Sequence, residues 1–342
     1  MSLRLTVLWL LQYCCVNEAE HPTSCRHAIV RKEWRTLKRT EQLQYITAVQ
    51  CLLEKPAVTP TPAAPGALSR YDDLVATHIN QTLSIHLDGQ FLPWHRLFTA
   101  YYEKILRDEC GYRGAQPYWD WTLDTPAWKF VQSPVFDATY GFGGNGPFIP
   151  PPDASNNTVP GRTGGGCVED GPFMNITVHL GPLDSLARND QCLRRDLAPE
   201  YAATILAKSE LDKVMAQADY GWFARTMEGG TTWDESQIHT GGHISVGGAY
   251  GQMSDGWASP SDPIFWLHHA NLDRVWWSWQ TKDLETRLRD MSGPVMLRDW
   301  DNTQGGNVTL DFPLSLGYNG WDAKISDVMD IRDLCYSYDE LY

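Results

Sequence analysis

Apolar positions recur at helical spacing through most of the first third of the chain. Arg31 to Leu37 and Glu41 to Leu53 follow that rhythm and predict two helical segments, stopped by Pro56. Residues 56–66, rich in Pro and Ala, predict a loop. From Tyr71 to about Ser84 the pattern predicts a helix in which Leu74, Val75, His78 and Ile79 share one face. His86 falls in the loop after it. Phe91-Leu92-Pro93-Trp94-His95-Arg96 opens a further helix, with Pro93 near its first position and Gly111 as its stop.

The periodicity lapses from Gln132 to Gly181, where glycine and proline runs predict a long loop pinned from outside. Short β pairs are predicted around Val131 to Phe136 and Met174 to Leu180. Helical rhythm returns at Glu200–Lys208 and Ser209–Gln217. His239 and His243, four apart, share one face of a helical turn that Gly241 and Gly242 weaken. Ser259 to Arg274 then reads as a helix start. Ser261 or Asp262 caps it, Pro263 takes its first position, and an apolar turn leads to His268-His269. Adjacent helical residues point about 100° apart, so these two imidazoles have different jobs. Beyond Trp279 the pattern is mixed, with short strand-like pieces. No internal repeat or linker divides the chain. The fold class is mainly α: a four-helix bundle around a dinuclear metal site, with long loops and little β.

Composition adds a compartment and excludes some partners. The 342 residues suffice for one large core, and the net charge of −14 argues against nucleic acid or an anionic membrane as partner. Arg4 followed by the apolar run Leu5 to Leu11 predicts a secretory signal over residues 1–20, leaving 21–342 as a single catalytic domain. Cys14 and Cys15 fall in that signal. Cys25, Cys51, Cys110, Cys167, Cys192 and Cys335 are scattered without CxxC pairs and predict three disulfides of open connectivity, Cys167 and Cys192 being placed to pin the long loop. Sequons at Asn80, Asn156, Asn175 and Asn307 fit a secreted glycoprotein, with Asn80 expected to be buried and unmodified.

The chemistry lies in the histidines. Of ten, six form two triplets: His78, His86 and His95, then His239, His243 and His269. His21, His27 and His179 read as ordinary structural histidines. All-nitrogen sites without carboxylate or thiolate suit copper or zinc rather than magnesium, calcium or manganese. Two such triplets on facing helices predict one dinuclear centre.

These segments resemble the tyrosinase, catechol oxidase and hemocyanin superfamily, and within it the short fungal polyphenol oxidases. The resemblance rests on His78 to His86, Phe91 to Arg96, Pro117 to Trp121, His239 to Gly248 and Ser259 to Trp279, and spans about residues 25–340. It implies two copper ions, dioxygen and a small aromatic substrate, with o-diphenols oxidised to quinones. It also implies that the second histidine of the pair, His269, binds metal while His268 supports it. Phe265 would pack beneath the metals, and Asp273, one turn on, would accept from the His269 ring. Glu228 resembles the family's acidic residue near the second site, which orients water or acts as base.

Three departures qualify the resemblance. Thr240 stands where many tyrosinases have Asn, which weakens a monophenol hydroxylase. No Cys lies between His78 and His95, so no thioether can form there. The stretch Tyr250 to Trp257 offers Met253, Asp255 and Trp257 to a substrate mouth, and an acid there would suit acid–base work. Two other classes therefore stand beside the oxidase. One is a zinc-dependent tailoring enzyme of fungal alkaloid biosynthesis, such as a cyclopenase-like ring contraction, using Glu228 or Asp255. The other is an oxygen carrier.

Overall fold

The computed structural model describes residue 25 and residues 28–152, 159–230, 232 and 234–342. The expected signal at 1–20, His21, His27 and Asn156 lie outside these.

Strand β1 (Ile29–Arg31) and helices α1 (Arg39–Glu54), α2 (Arg70–Gln81) and α3 (Phe91–Cys110) come first, followed by the short α4 (Ala127–Phe130). Strands β2 (Thr177–Val178) and β3 (Gln191–Cys192) pair antiparallel. Helices α5 (Pro199–Ile205), α6 (Lys208–Met215), α7 (Tyr220–Glu228), α8 (Ile238–Gly247) and α9 (Ile264–Gln280) follow. After them come β4 (Pro313–Leu314) and β5 (Ala323–Lys324), paired antiparallel, and β6 (Tyr336–Tyr338), which pairs parallel with β1. The fold is mainly helical, and α2, α3, α8 and α9 carry the histidine motifs.

Local chemistry sets these helices. Ser69 and Asp72 form a reciprocal capping box at the start of α2, and Gly111 at φ 67° ends α3. Asp262 caps α9, its Oδ1 accepting from Ile264 N at 3.0 Å, while Arg195 Nε holds the same carboxylate at 2.7 Å with both side chains fully buried. Every residue of α9 is buried, so this helix has no solvent face and its polar side chains all need partners.

Asp273 finds its partners far away in sequence. It accepts from Arg96 Nε at 2.5 Å, Arg31 Nη1 at 3.2 Å, Tyr336 Oη at 2.6 Å and Tyr338 Oη at 2.5 Å. This network welds α3, α9, β1 and β6. Disulfides Cys25–Cys335, Cys51–Cys110 and Cys167–Cys192 cross-link the chain, the last pinning the long loop beside β2 and β3.

Four expectations change. Arg31 to Leu37 is not helical: Arg31 ends β1, and Lys32 and Trp34 bond to Tyr118 before a single 3-10 turn at Trp34–Thr36. Pro134–Phe136 is a helical turn capped by Ser133 rather than a strand. Helix α7 was not foreseen. Asn80 is exposed on α2, because the ligand face of that helix is the opposite one.

Candidate metal centre

His78 lies on α2, His95 on α3, His239 and His243 on α8 and His269 on α9. His86 alone sits on a turn, and it alone is only half-buried. In each triad the ligand nitrogens fall within 4.8 Å of one another. The triads face each other, with the His95 and His269 rings stacked at 4.5 Å and 16°.

Four of the six imidazoles are aimed by main-chain carbonyls on Nδ1. His86 meets Thr82 O at 3.0 Å and His95 meets Phe91 O at 2.8 Å, each within its own turn of chain. His78 meets Trp257 O at 2.6 Å, and His243 meets Met253 O at 2.9 Å. The stretch before α9 therefore braces one histidine of each triad, through carbonyls that leave no trace in side-chain patterns. With Nδ1 bonded, Nε2 is left for the interior. His78 Nε2, His95 Nε2 and both ring nitrogens of His239 have no hydrogen-bond partner among the described residues, although buried. His243 and His269 bring their Nε2 atoms to 3.1 Å of each other.

Orphaned buried nitrogens converging in threes are costly unless a cation takes their lone pairs. The two triads thus fit two borderline metal ions. Burial drives the imidazole pKa values down, with neighbouring histidines adding to the effect at His78; at His86 burial brings it to about 4. The rings stay in the neutral, metal-binding form.

His268 does the supporting job. Trp121 Nε1 donates to its Nδ1 at 3.1 Å, so Nε2 carries the proton and donates to His239 O at 3.0 Å. Its ring lies against Gly242, where a Cβ would come to 2.5 Å from Nδ1. The glycines that weaken α8 on paper make room for this ring and, at Gly241, for Ile205. Phe265 stacks on His269 at 4.1 Å and meets His78 edge-on at 5.4 Å, a dry floor under both triads.

Two predicted roles need revision. Asp273 does not accept from His269: its oxygens are claimed by two arginines and two tyrosines, and His269 Nδ1 has no partner among the described residues. Asp255 is not poised for proton transfer. Its Oδ1 accepts from Trp257 N and Ala258 N, and its Oδ2 from Leu183 N at 2.7 Å, so it shapes the brace instead. A cavity of about 210 Å³ lined by Asp255, Leu183 and Tyr250 lies on that side of the loop. The Thr240 hydroxyl is shared between the carbonyls of Glu228 at 2.7 Å and Gly230 at 3.0 Å.

Glu228 is a fully buried end of α7, not a loop residue. Its Oε1 accepts from Leu87 N at 2.6 Å, and its Oε2 has no hydrogen-bond partner among the described residues. Burial, and then the nearby Asp88, raise its pKa well above the usual carboxyl range, and burial raises Asp88 to about 8. Trp121 and Asp88 were both missed as parts of the site. Only the aromatic corner Pro117 to Trp121 carried a signal, and its partner could not be read from it.

The common central domain of tyrosinase matches residues 68–282. An N-acetyl-6-hydroxytryptophan oxidase of Emericella nidulans is 38% identical over 92% of this chain and 93% of its own. Tyrosinase P of Aspergillus terreus is 34% identical, again over 92% of this chain and 93% of its own. A polyphenol oxidase variant from Thermothelomyces thermophila superposes with a TM-score of 0.82 at 37% identity, covering 92% of this chain and 89% of its own. An octopus hemocyanin unit, at 21% identity and TM-score 0.56, shares the fold.

Proposed function

The chain belongs to the tyrosinase family, and from that premise we propose that it is a secreted dicopper oxidase converting a small o-diphenol to its quinone with dioxygen. The observation that carries the reading is the pair of facing all-imidazole triads, held neutral and aimed by carbonyls. Copper bound there would supply dioxygen chemistry, taking electrons from the ring so that oxygen leaves as water. The chain's own part is orientation and exclusion of water. Phe265 seals the floor, the carbonyls of Met253 and Trp257 fix His243 and His78, and His268 holds His239 through its main chain. Glu228 keeps one buried carboxyl oxygen without a partner among the described residues, which supports it as the group that holds a proton.

Similarity to an N-acetyl-6-hydroxytryptophan oxidase supports a hydroxylated indole or related aromatic ring as the carrier of that o-diphenol. Three disulfides support an oxidising compartment, and among the described residues no helix is long and apolar enough to cross a membrane. The zinc-dependent ring-contraction reading loses Asp255 but keeps Glu228 as its acid, and the similarity to oxidases favours the redox reading over it. Metal analysis of the purified protein with oxygen uptake on catechols is the test. Copper with turnover, abolished in His269→Ala, supports the oxidase. Zinc, with no turnover after copper loading, overturns it, and reversible oxygen uptake without turnover would mark a carrier.

A further inference from the structure

His86 is the one ligand not carried by a helix, and the turn after it is gripped from outside on its main chain. Leu87 N donates to Glu228 Oε1 at 2.6 Å, and Leu87 O accepts from Arg298 N at 2.8 Å. Gly89 N donates to Pro294 O at 2.8 Å, and Gly89 O accepts from Tyr220 Oη at 2.8 Å. Leu87 sits at φ 53°, a left-handed conformation that a leucine rarely adopts without outside support.

The two grips from α7 come from its opposite ends, Tyr220 and Glu228. The other two come from the segment 292–298, which is folded back on 306–308 through Val295 N to Gly306 O and Val308 N to Gly293 O, each 2.9 Å. Gly89 and Gly293 lie back to back. A Cβ on Gly89 would sit 2.8 Å from the carbonyl oxygens of Gly293 and Ser292. The start of α7 rests on the same segment: Tyr220 N donates to Asp290 Oδ2 at 2.9 Å, and a Cβ on Gly221 would reach Ser292 Oγ at 2.7 Å. Helix and segment form one body around the turn.

We propose that Tyr220 and Glu228, with the 292–298 segment, are a clamp that positions His86 and thereby sets how tightly the first metal site holds its ion. The proposal rests on the reading of His86 as a ligand. Outer partners that orient a metal-bound histidine commonly change affinity by about 10-fold or more. Here they act through the main chain at Leu87, the residue after the ligand, and at Gly89, because among the described residues the one hydrogen bond of the His86 ring is Nδ1 to Thr82 O. The four clamp bonds go to Leu87 and Gly89 and none to a histidine of the second triad. Because the Glu228 carbonyl also accepts from Thr240 beside His239, Tyr220 is the member whose loss should separate the two sites.

The test loads the protein with copper and follows release of each ion to a chelator, with the melting temperature of the metal-free protein measured alongside. In Tyr220→Phe, which removes one hydroxyl, one ion should leave about 10-fold faster while the other keeps its wild-type rate and the metal-free protein melts as wild type. Glu228→Gln keeps an acceptor oxygen for Leu87 N and should hold its first ion better than Glu228→Leu. If both ions leave faster in step with a lowered melting temperature, the clamp is only structural and the proposal fails. If both variants release metal as wild type does, it also fails. His86→Ala separates the clamp from the reading beneath it: that variant should bind one ion, and retention of two would overturn the ligand assignment instead.

Discussion

Gly242→Ala sets two physical arguments against each other. Gly242 is inside α8, where helix propensity alone says that alanine should stabilise by about 1 kcal/mol. The structure says the opposite. A Cβ at 242 would lie 2.5 Å from His268 Nδ1, so the ring would have to retreat by about 1 Å to reach ordinary contact. It has nowhere to go. His268 is fully buried, held by Trp121 Nε1 at 3.1 Å and His239 O at 3.0 Å, with His243 edge-on at 4.9 Å. Losing the two hydrogen bonds costs about 1 kcal/mol each and overpacking about 1–3 kcal/mol, so a net loss of about 2–4 kcal/mol remains after the helix gain. Gly241→Ala is the comparison: its Cβ would come to 2.8 Å from the half-buried Ile205 side chain rather than against the enclosed His268 ring, so it should cost less than Gly242→Ala. Urea unfolding of the metal-free proteins reads the difference. The reasoning is refuted if Gly242→Ala unfolds at the same or a higher urea concentration than wild type.

Asp273→Asn leaves Arg31 and Arg96 buried beside a neutral group and should cost about 3–5 kcal/mol, weakening both metal sites together; loss confined to the second site would restore a direct bond to His269. Trp121→Phe removes the donor that fixes the His268 tautomer, so the second-site ion should come off faster while the first keeps its rate, as chelator release would show. Asp255→Asn should lower the melting temperature slightly and leave the pH profile of turnover in place, and a shifted profile would return Asp255 to the chemistry. Acid should unfold the metal-free protein early. Burial holds the histidine pKa values below 6.5, at about 4 for His86 and about 3 for His268, so the unfolded chain binds more protons below 6.5. The histidine contribution is then complete above pH 6.5 and falls as pH drops toward 4. It comes from seven buried rings and outweighs the opposite trend of Asp88 and Glu228, whose raised pKa values favour the folded state as pH falls, and a urea midpoint that stays level across that window would contradict it.

The two histidine triads were legible because their residue types and spacing are unusual: imidazoles at helical spacing inside apolar, proline-opened helices. What aims them was not. The acceptors of His78 and His243 are carbonyls of Trp257 and Met253, and a carbonyl has no residue signature. Asp273 stands one turn from His269, so local spacing assigned it there. Arg31 and Arg96 outbid that neighbour because they bring full charges into the same buried space. The helix that carries Glu228 was overlooked, although Tyr220, Phe223, Ala224 and Met227 do fall on one buried helical face. The parallel pairing of β1 with β6 could not be read locally, since three-residue strands carry no usable periodicity.

The Asp273 network also has a temporal side. Tyr336 and Tyr338 supply two of the four donors to that carboxylate, and Tyr342 Oη donates to Asp120 at 2.8 Å while its ring covers Arg274. A nascent chain whose α9 has left the ribosome but whose residues 336–342 have not would hold Asp273 and Arg274 half-partnered. The helix that carries His269 would be finished only after those residues emerge. Metal capture at the second triad would then wait until residues 336–342 have docked against α9.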